Sequence, residues 1–470
     1  MSIDCGLMNI ALRECKSIFT HTLYPPNTLI PLYAYHPISS SPVTESFLHY
    51  VWQFQYFDKH ALTTTGGENI SVFNPGNRNP HAGPDFFNAR IRIDDMDWIG
   101  SVEIHIYASG WIDHKHNTDA AYDNVVLHVV WSDDKSVTRS DGTTLPTLEL
   151  KNRVNEYLLL HYRRLVYSPE AIPCSSKLFE VKPITVLSMI ERVLVERLEI
   201  KASAILRMLE RNGNDWEETC YQMLTKNFGF KVNNDPFHQL SLALPYKILL
   251  KHADKLSQVE ALLFGQAGFL EEENEDNYFV LLKREYKLLS QKYQLSAKRM
   301  NRIQWRFMRM RPANFPTIRI AQLAGLVHKG QKFFSTITSI EDENELAEFF
   351  SVRQSEYWIH HYHFFKEFKK EIDTLGEESI NSLIINTVAP MLVAYGKAKD
   401  DQGYINRAVS ILQHIPSETN RITTRWKELG LNVKDAFDSQ ALVGLYNNFC
   451  LKRRCLDCNI GASLVNPVQK

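Results

Sequence analysis

The 470-residue sequence has no run of eighteen or more apolar residues, so it predicts no membrane-spanning helix. Its start, MSIDCGLMNIALRECKSIFTHTLYPP, lacks the basic opening and long apolar stretch of a secretory signal. Net charge is also lacking. Lysine and arginine total 53 against 54 acidic residues, which excludes recognition by whole-chain charge and leaves only local electrostatic surfaces. Cysteine is scarce. The seven are Cys5, Cys15, Cys174, Cys220, Cys450, Cys455 and Cys458, an odd and mostly scattered set that argues against a disulfide framework. These absences together predict a soluble cytoplasmic protein in a reducing compartment, with no membrane partner.

The length calls for two or three domains. Residues 1–43, with Pro25-Pro26 and HPISSSPVTE, read as an extension or linker. Residues 44–175 read as an α/β domain. Thr44 or Ser46 can cap an aromatic-rich helix, SFLHYVWQFQYF. Alternating Phe86–Ile93 and Trp98–Tyr107, joined by the turn DDMD, predict a hairpin. VVLHVVW has the continuous apolar character of a strand buried on both faces, TLPTLEL suggests another strand, and VNEYLLLHYRRL suggests a helix. The pattern turns helical after SPEAIPCSS, giving a helical domain over 183–470 that ends in a cysteine cluster. The fold class is therefore α+β, an N-terminal domain with a mixed sheet followed by a mostly helical region.

The chemistry concentrates in the hairpin. Glu103 and His105 are two apart on one strand and project from one face. With the turn at 94–97, Asp85 falls opposite residues 105–106, within a residue or two. Asp85, Glu103 and His105 are then expected at one end of the sheet. Two carboxylates there suit Mg²⁺ or Mn²⁺, which lowers the pKa of a bound water, and His105 can act as base or charge stabiliser. The bland alternative is a solvated Glu and His on an outer strand face. Downstream, His114, His116 and Asp119 offer a second donor set or substrate contacts, against the common alternative of an exposed polar loop. His128 reads most simply as a buried, hydrogen-bonded histidine, and Tyr122, Asp123 and Asn124 as a turn.

Pro84-Asp85 followed by Glu103-Ile104-His105 resembles the PD-(D/E)xK signature of restriction-endonuclease-like nucleases. The resemblance implies a nuclease fold with Asp85 and Glu103 on the metal. It departs from the pattern in carrying His105 where lysine is usual. Beyond residue 43 the chain is also similar to an uncharacterised bacterial family, domain of unknown function 2851. That likeness rests on FLHYVWQF, NPHAGPDFFNARI, VEIHI, AYDNVVLHVVW, RPANFPTIRIAQLA, SQALVGLYNNFC and CLDCNIG, and it implies no activity.

Residues 281–320 are crowded with lysine and arginine between acidic flanks. Arg302, Arg306 and Arg309 at helical spacing, with Trp305 interleaved, would suit phosphates and bases. A solvated basic helix paired with its acidic flanks is the alternative. At the C-terminus, Cys450, Cys455 and Cys458 have the spacing of a zinc or iron–sulfur site, with a histidine, Cys174 or Cys220 as the fourth ligand, or else they are simply reduced thiols. The leading expectation is a metal-dependent nuclease acting on DNA or RNA. The alternatives are a non-catalytic nucleic-acid-binding or scaffolding protein, and another metal-dependent hydrolase built on His105, His114, His116 and Asp119.

Overall fold

In the computed structural model of the chain, residues 43–466 are described, apart from 274 and 373. The expected N-terminal extension, with Cys5 and Cys15, lies almost entirely outside them. The described chain divides into two compact units, one of residues 43–189 and 445–466, the other of residues 190–444. The final segment, with its three cysteines, therefore belongs with the N-terminal region, and the stretch 183–470 is shared between units.

The first unit opens with α1, Glu45–Gln53. Thr44 caps it by accepting from the Phe47 amide, which satisfies one of the otherwise unpaired first-turn donors. Phe47, Leu48, Val51 and Trp52 bury one face. The strands follow: β1 (Ile70–Asn74), β2 (Asn77–Arg78), β3 (Phe86–Ile93), β4 (Met96–Tyr107), β5 (Val125–Ser132) and β6 (Thr147–Glu149). They form a mixed sheet in the order β1-β3-β4-β5-β6, with β2 also on β3. The β1–β3 and β3–β4 pairs are antiparallel, and β4–β5 and β5–β6 are parallel. Parallel pairing requires a crossover, and residues 108–124 supply it with a one-turn helix, α2 (Gly110–Asp113), and tight turns. Val125 through Val130 are all buried, as the unbroken apolar run predicts.

The hairpin is tighter than its sequence suggests. Ile93 pairs with Met96, so the turn is only Asp94-Asp95, with Asp94 in the left-handed region at φ 48°. A register shift between Phe86 and Ala89, where Asn88 has φ 58°, sets Phe86 against Val102. Asp85 consequently lies beside Glu103, not across from residues 105–106.

After β6 comes α3 (Glu156–Val166), and the division between the units falls within the long α4 (Pro183–Arg211). The C-terminal helix Asn459–Val465 joins this unit through Tyr50, whose hydroxyl donates to the Ala462 carbonyl at 3.0 Å. Arg78 and Asp457 form an ion pair at 2.6 Å.

The second unit is mostly helical, although a short hairpin pairs His361–His363 with Lys366–Glu367. Residues 377–399 form, among the described residues, the one helix long and apolar enough to cross a membrane. The apolar window of that helix is 72% buried inside the protein, as expected of a core helix. A π-turn at Ile384–Val388 interrupts it ahead of Pro390, which has no N–H to give. Asn227 Nδ2 donates to the Asn386 carbonyl at 3.0 Å and satisfies that acceptor.

Candidate metal centre

The alternation of β4 aims Glu103 and His105 to one side of the sheet, and β5 sets His128 beside them by pairing with Glu103. The crossover then brings His114 and His116 over the same spot. Donor atoms of His105, His114 and His116 all lie within 4.8 Å of one another. His105 Nε2 is 3.1 Å from His114 Nδ1. Glu103 Oε1 is 3.3 Å from His116 Nε2 and 3.8 Å from His105 Nε2. Ligands about 2.0–2.1 Å from a tetrahedral ion stand about 3.3 Å apart, so these spacings match the edges of one coordination shell.

Surrounding groups hold the donors in place. His105 Nδ1 is 2.8 Å from His128 Nε2, which fixes its ring while Nε2 faces the other donors. The His116 ring stacks on Tyr122 at 3.7 Å, and Trp111 meets it edge-on. Gly110 leaves room for the His105 ring, since a Cβ there would lie 2.9 Å from His105 Cδ2. Asp85 and Glu103 lock the two strands together. The Asp85 amide donates to Glu103 Oε2 at 3.1 Å, and the Ile104 amide donates to Asp85 Oδ2 at 3.0 Å. His49, from α1, brings Nε2 to 3.1 Å from the same Asp85 oxygen without hydrogen-bond alignment.

The electrostatics suit a cation. Burial, then the neighbouring Asp85 charge, pushes the Glu103 carboxyl up to about 9. Burial, then the charges of His128, His116 and His114, pushes His105 down to about 3. Burial and then His116 do the same to His128, also to about 3, while burial and then His114 lower His116. Burial thus favours the neutral form of His105, His116 and His128, the form that leaves a lone pair for ligation. The site also reaches solvent, because His114 is exposed and the Asp85 side chain is 24% exposed.

Of the residues singled out from sequence, Asp85, Glu103, His105, His114 and His116 gather here. Asp119 does not join the donor group. Its carboxylate accepts from the Ala121 amide at 2.9 Å and caps a turn, acting on His116 only through its charge. His49 and His128 complete the surroundings although the sequence reading gave them no part in the site. A histidine inside an otherwise apolar strand was the available signal for His128, whereas nothing local marks His49.

A second cluster lies in the same unit. Cys174, Cys450, Cys455 and Cys458 are all buried and unoxidised. Burial raises the Cys450 thiol most, followed by the charges of Cys174, Cys458 and Cys455, so the four are within electrostatic reach of one another. Burial also pushes Cys174 and Cys455 up to about 12. The flanking Lys452, Arg453 and Arg454 do not leave these thiols acidic, and Arg453 lowers Cys450 and Cys455 by less than burial raises them. Cys220 is buried alone in the other unit. Gly461 permits the C-terminal helix to approach this pocket, since a Cβ would lie 2.2 Å from the Cys455 carbonyl oxygen.

The basic stretch departs from its expected form. Its first helix, Asn277–Tyr293, stops at Gln294 with φ 55°, and short turns lead to the next helix at Pro316. Arg302, Arg306 and Arg309 therefore share no helical face. Arg302 is ion-paired with Glu272 and contacts His363. Trp305 is buried, its Nε1–H donating to the Ala267 carbonyl at 2.9 Å, so its ring is not offered to bases. Arg306 and Arg309 are exposed.

A family described as "Protein of unknown function (DUF2851)" matches residues 45–421. No curated protein and no solved structure matches the chain.

Proposed function

The chain belongs to this family of proteins of unknown function, and we propose that it is a metal-dependent hydrolase whose ion is held by Glu103, His105, His114 and His116. The observation that carries the reading is the convergence of three imidazoles and one carboxylate oxygen at coordination spacing. Nitrogen-rich donors of this kind favour zinc over magnesium. A bound ion would supply an acidified water and polarise a substrate oxygen. Ligation would also let Glu103 ionise. His128 would orient His105, and Asp85 with His49 would stand beside the reacting water to hold or receive its proton.

A phosphodiester is the substrate class we favour. The neighbouring carboxylates Asp85 and Glu103 support it, Glu103 accepting from the Asp85 amide and Asp85 from the Ile104 amide. This is the nuclease-like reading, with His105 in place of the usual lysine. We also propose that Cys174, Cys450, Cys455 and Cys458 hold a structural metal through four thiolates, as zinc or an iron–sulfur cluster.

The test is metal analysis of the purified full chain, followed by assays with Zn²⁺, Mn²⁺ or Mg²⁺ on a chromogenic phosphodiester, DNA and RNA. Glu103→Ala should weaken metal binding about 10–100-fold or more and abolish turnover. Metal bound without turnover on any of these substrates would support a scaffold in place of an enzyme. No metal at either centre would overturn the proposal. Zinc, or iron with labile sulfide, should disappear in Cys174→Ser and persist in Cys220→Ser.

A further inference from the structure

The unit of residues 190–444 contains a cleft of about 470 Å³ unrelated to the histidine centre. It is lined by Phe228–Asn233, by Arg309–Arg311 and Asn314, and by Arg319, Glu378, Ser379 and Ser382. The helix Pro316–His328 is buried at every position except its last. Arg319 is the one charged residue on its buried part, only 6% exposed. Neutral groups anchor it. Nη1 donates to Gln322 Oε1 at 2.9 Å, and Nη2 donates to Asn314 Oδ1 at 2.7 Å and Ser379 Oγ at 3.0 Å. Its guanidinium carbon lies 4.5 Å from the centre of the Phe230 ring, while Nε has no partner.

Among the described residues no carboxylate forms an ion pair with Arg319, and burial alone depresses its pKa to about 10. A buried charge without its opposite is costly, and proteins normally provide a counter-charge. The other cations here deepen the imbalance. Lys231, Arg309 and Arg311 are exposed along the cleft, against a single carboxylate, Glu378. Phe230 and Arg309, both on the cleft wall, also hold left-handed backbone, φ 46° and φ 60°.

We propose that this cleft binds a phosphate ester, with Lys231, Arg309 and Arg311 contacting the phosphate and Arg319 as a fixed positive charge beneath it. The size suits a nucleotide-sized ligand, and the apolar wall of Phe230 and Val232 suits an attached ring. A free nucleotide and the backbone of a single strand present the same phosphate chemistry. The proposal does not depend on hydrolysis at the histidine centre.

Calorimetry on the full chain would use pyrophosphate, ADP and a single-stranded oligonucleotide as probes, with chloride at matched ionic strength as control. At least one phosphate probe should bind and raise Tm, and chloride should not. ADP alone would identify a free nucleotide as the source, and the oligonucleotide alone a polynucleotide. The exposed double variant R309E/R311E should bind about tenfold more weakly or worse. Arg319→Met should lose the phosphate-induced rise in Tm, whereas a purely structural arginine would lower Tm and leave that rise intact. Absence of binding by every probe, or affinity unchanged in R309E/R311E, would overturn the assignment. The histidine centre would then be unaffected, because the Glu103→Ala metal experiment reads it separately.

Discussion

In the histidine pocket, two carboxyl groups stand beside a cluster of imidazoles, and burial shifts His105, His116 and His128 toward their neutral form. In the arginine cleft, four cations stand beside one exposed carboxylate. Both regions bury ionisable groups that the surrounding protein does not balance, and the imbalance has opposite sign. Burial, then the Asp85 charge, raises the Glu103 carboxyl, and burial lowers the Arg319 guanidinium. Ordinary structural pairs do not look like this. Arg92 and Asp97, for instance, strengthen each other's charge through a direct 2.6 Å bond. An unbalanced buried charge is therefore a better guide to ligand chemistry than the number of charges nearby.

The comparison can be broken first at Trp305, which lies in the same unit as the arginine cleft and serves as packing, not as a ligand surface. Trp305→Ala should cost about 3–5 kcal/mol in urea unfolding, because the ring is buried against Phe237 and Phe269. Its effect on oligonucleotide affinity, measured on the folded protein, should be negligible. Lost affinity at unchanged stability would return Trp305 to the ligand side. Gly110→Ala sharpens the histidine side. The added methyl meets His105, so unfolding should become easier by about 1–3 kcal/mol and metal affinity should fall with it. Intact metal binding would mean that the His105 position is not critical.

The smallest effect concerns Glu260, a buried carboxyl satisfied by neutral donors. Tyr278 Oη and Ser355 Oγ donate to it, and burial raises it to about 7. A raised folded pKa means that the stabilisation is fully present below the unfolded value of about 4.3 and is lost as pH rises toward 7. The Tm of wild type should fall relative to Glu260→Gln over that window and run parallel to it above. A constant gap would show that Glu260 titrates normally.

Sequence patterns reveal local parts of these sites well. Alternation in VEIHI puts Glu103 and His105 on one face, and His114-x-His116 announces a donor pair. The sheet and its helical successor follow from the same periodicities. What they do not reveal depends on non-local pairing. His128 reaches His105 only because β4 and β5 run parallel, and Asp85 meets Glu103 through a two-residue turn and a bulge that alternation does not encode. Cys174 is far in sequence from the C-terminal cysteines. Arg319 sits in an apolar helix that reads as packing, while its more conspicuous neighbours Arg302 and Trp305 are occupied by Glu272 and by the core.

The return of residues 445–466 to the first unit has a consequence for biosynthesis. Cys450, Cys455 and Cys458 leave the ribosome only after all of residues 190–444 have been made. The unit whose sheet is made before residue 190 must therefore wait for a segment made after residue 444 before its thiol pocket can close, while the intervening helices are free to fold in the meantime.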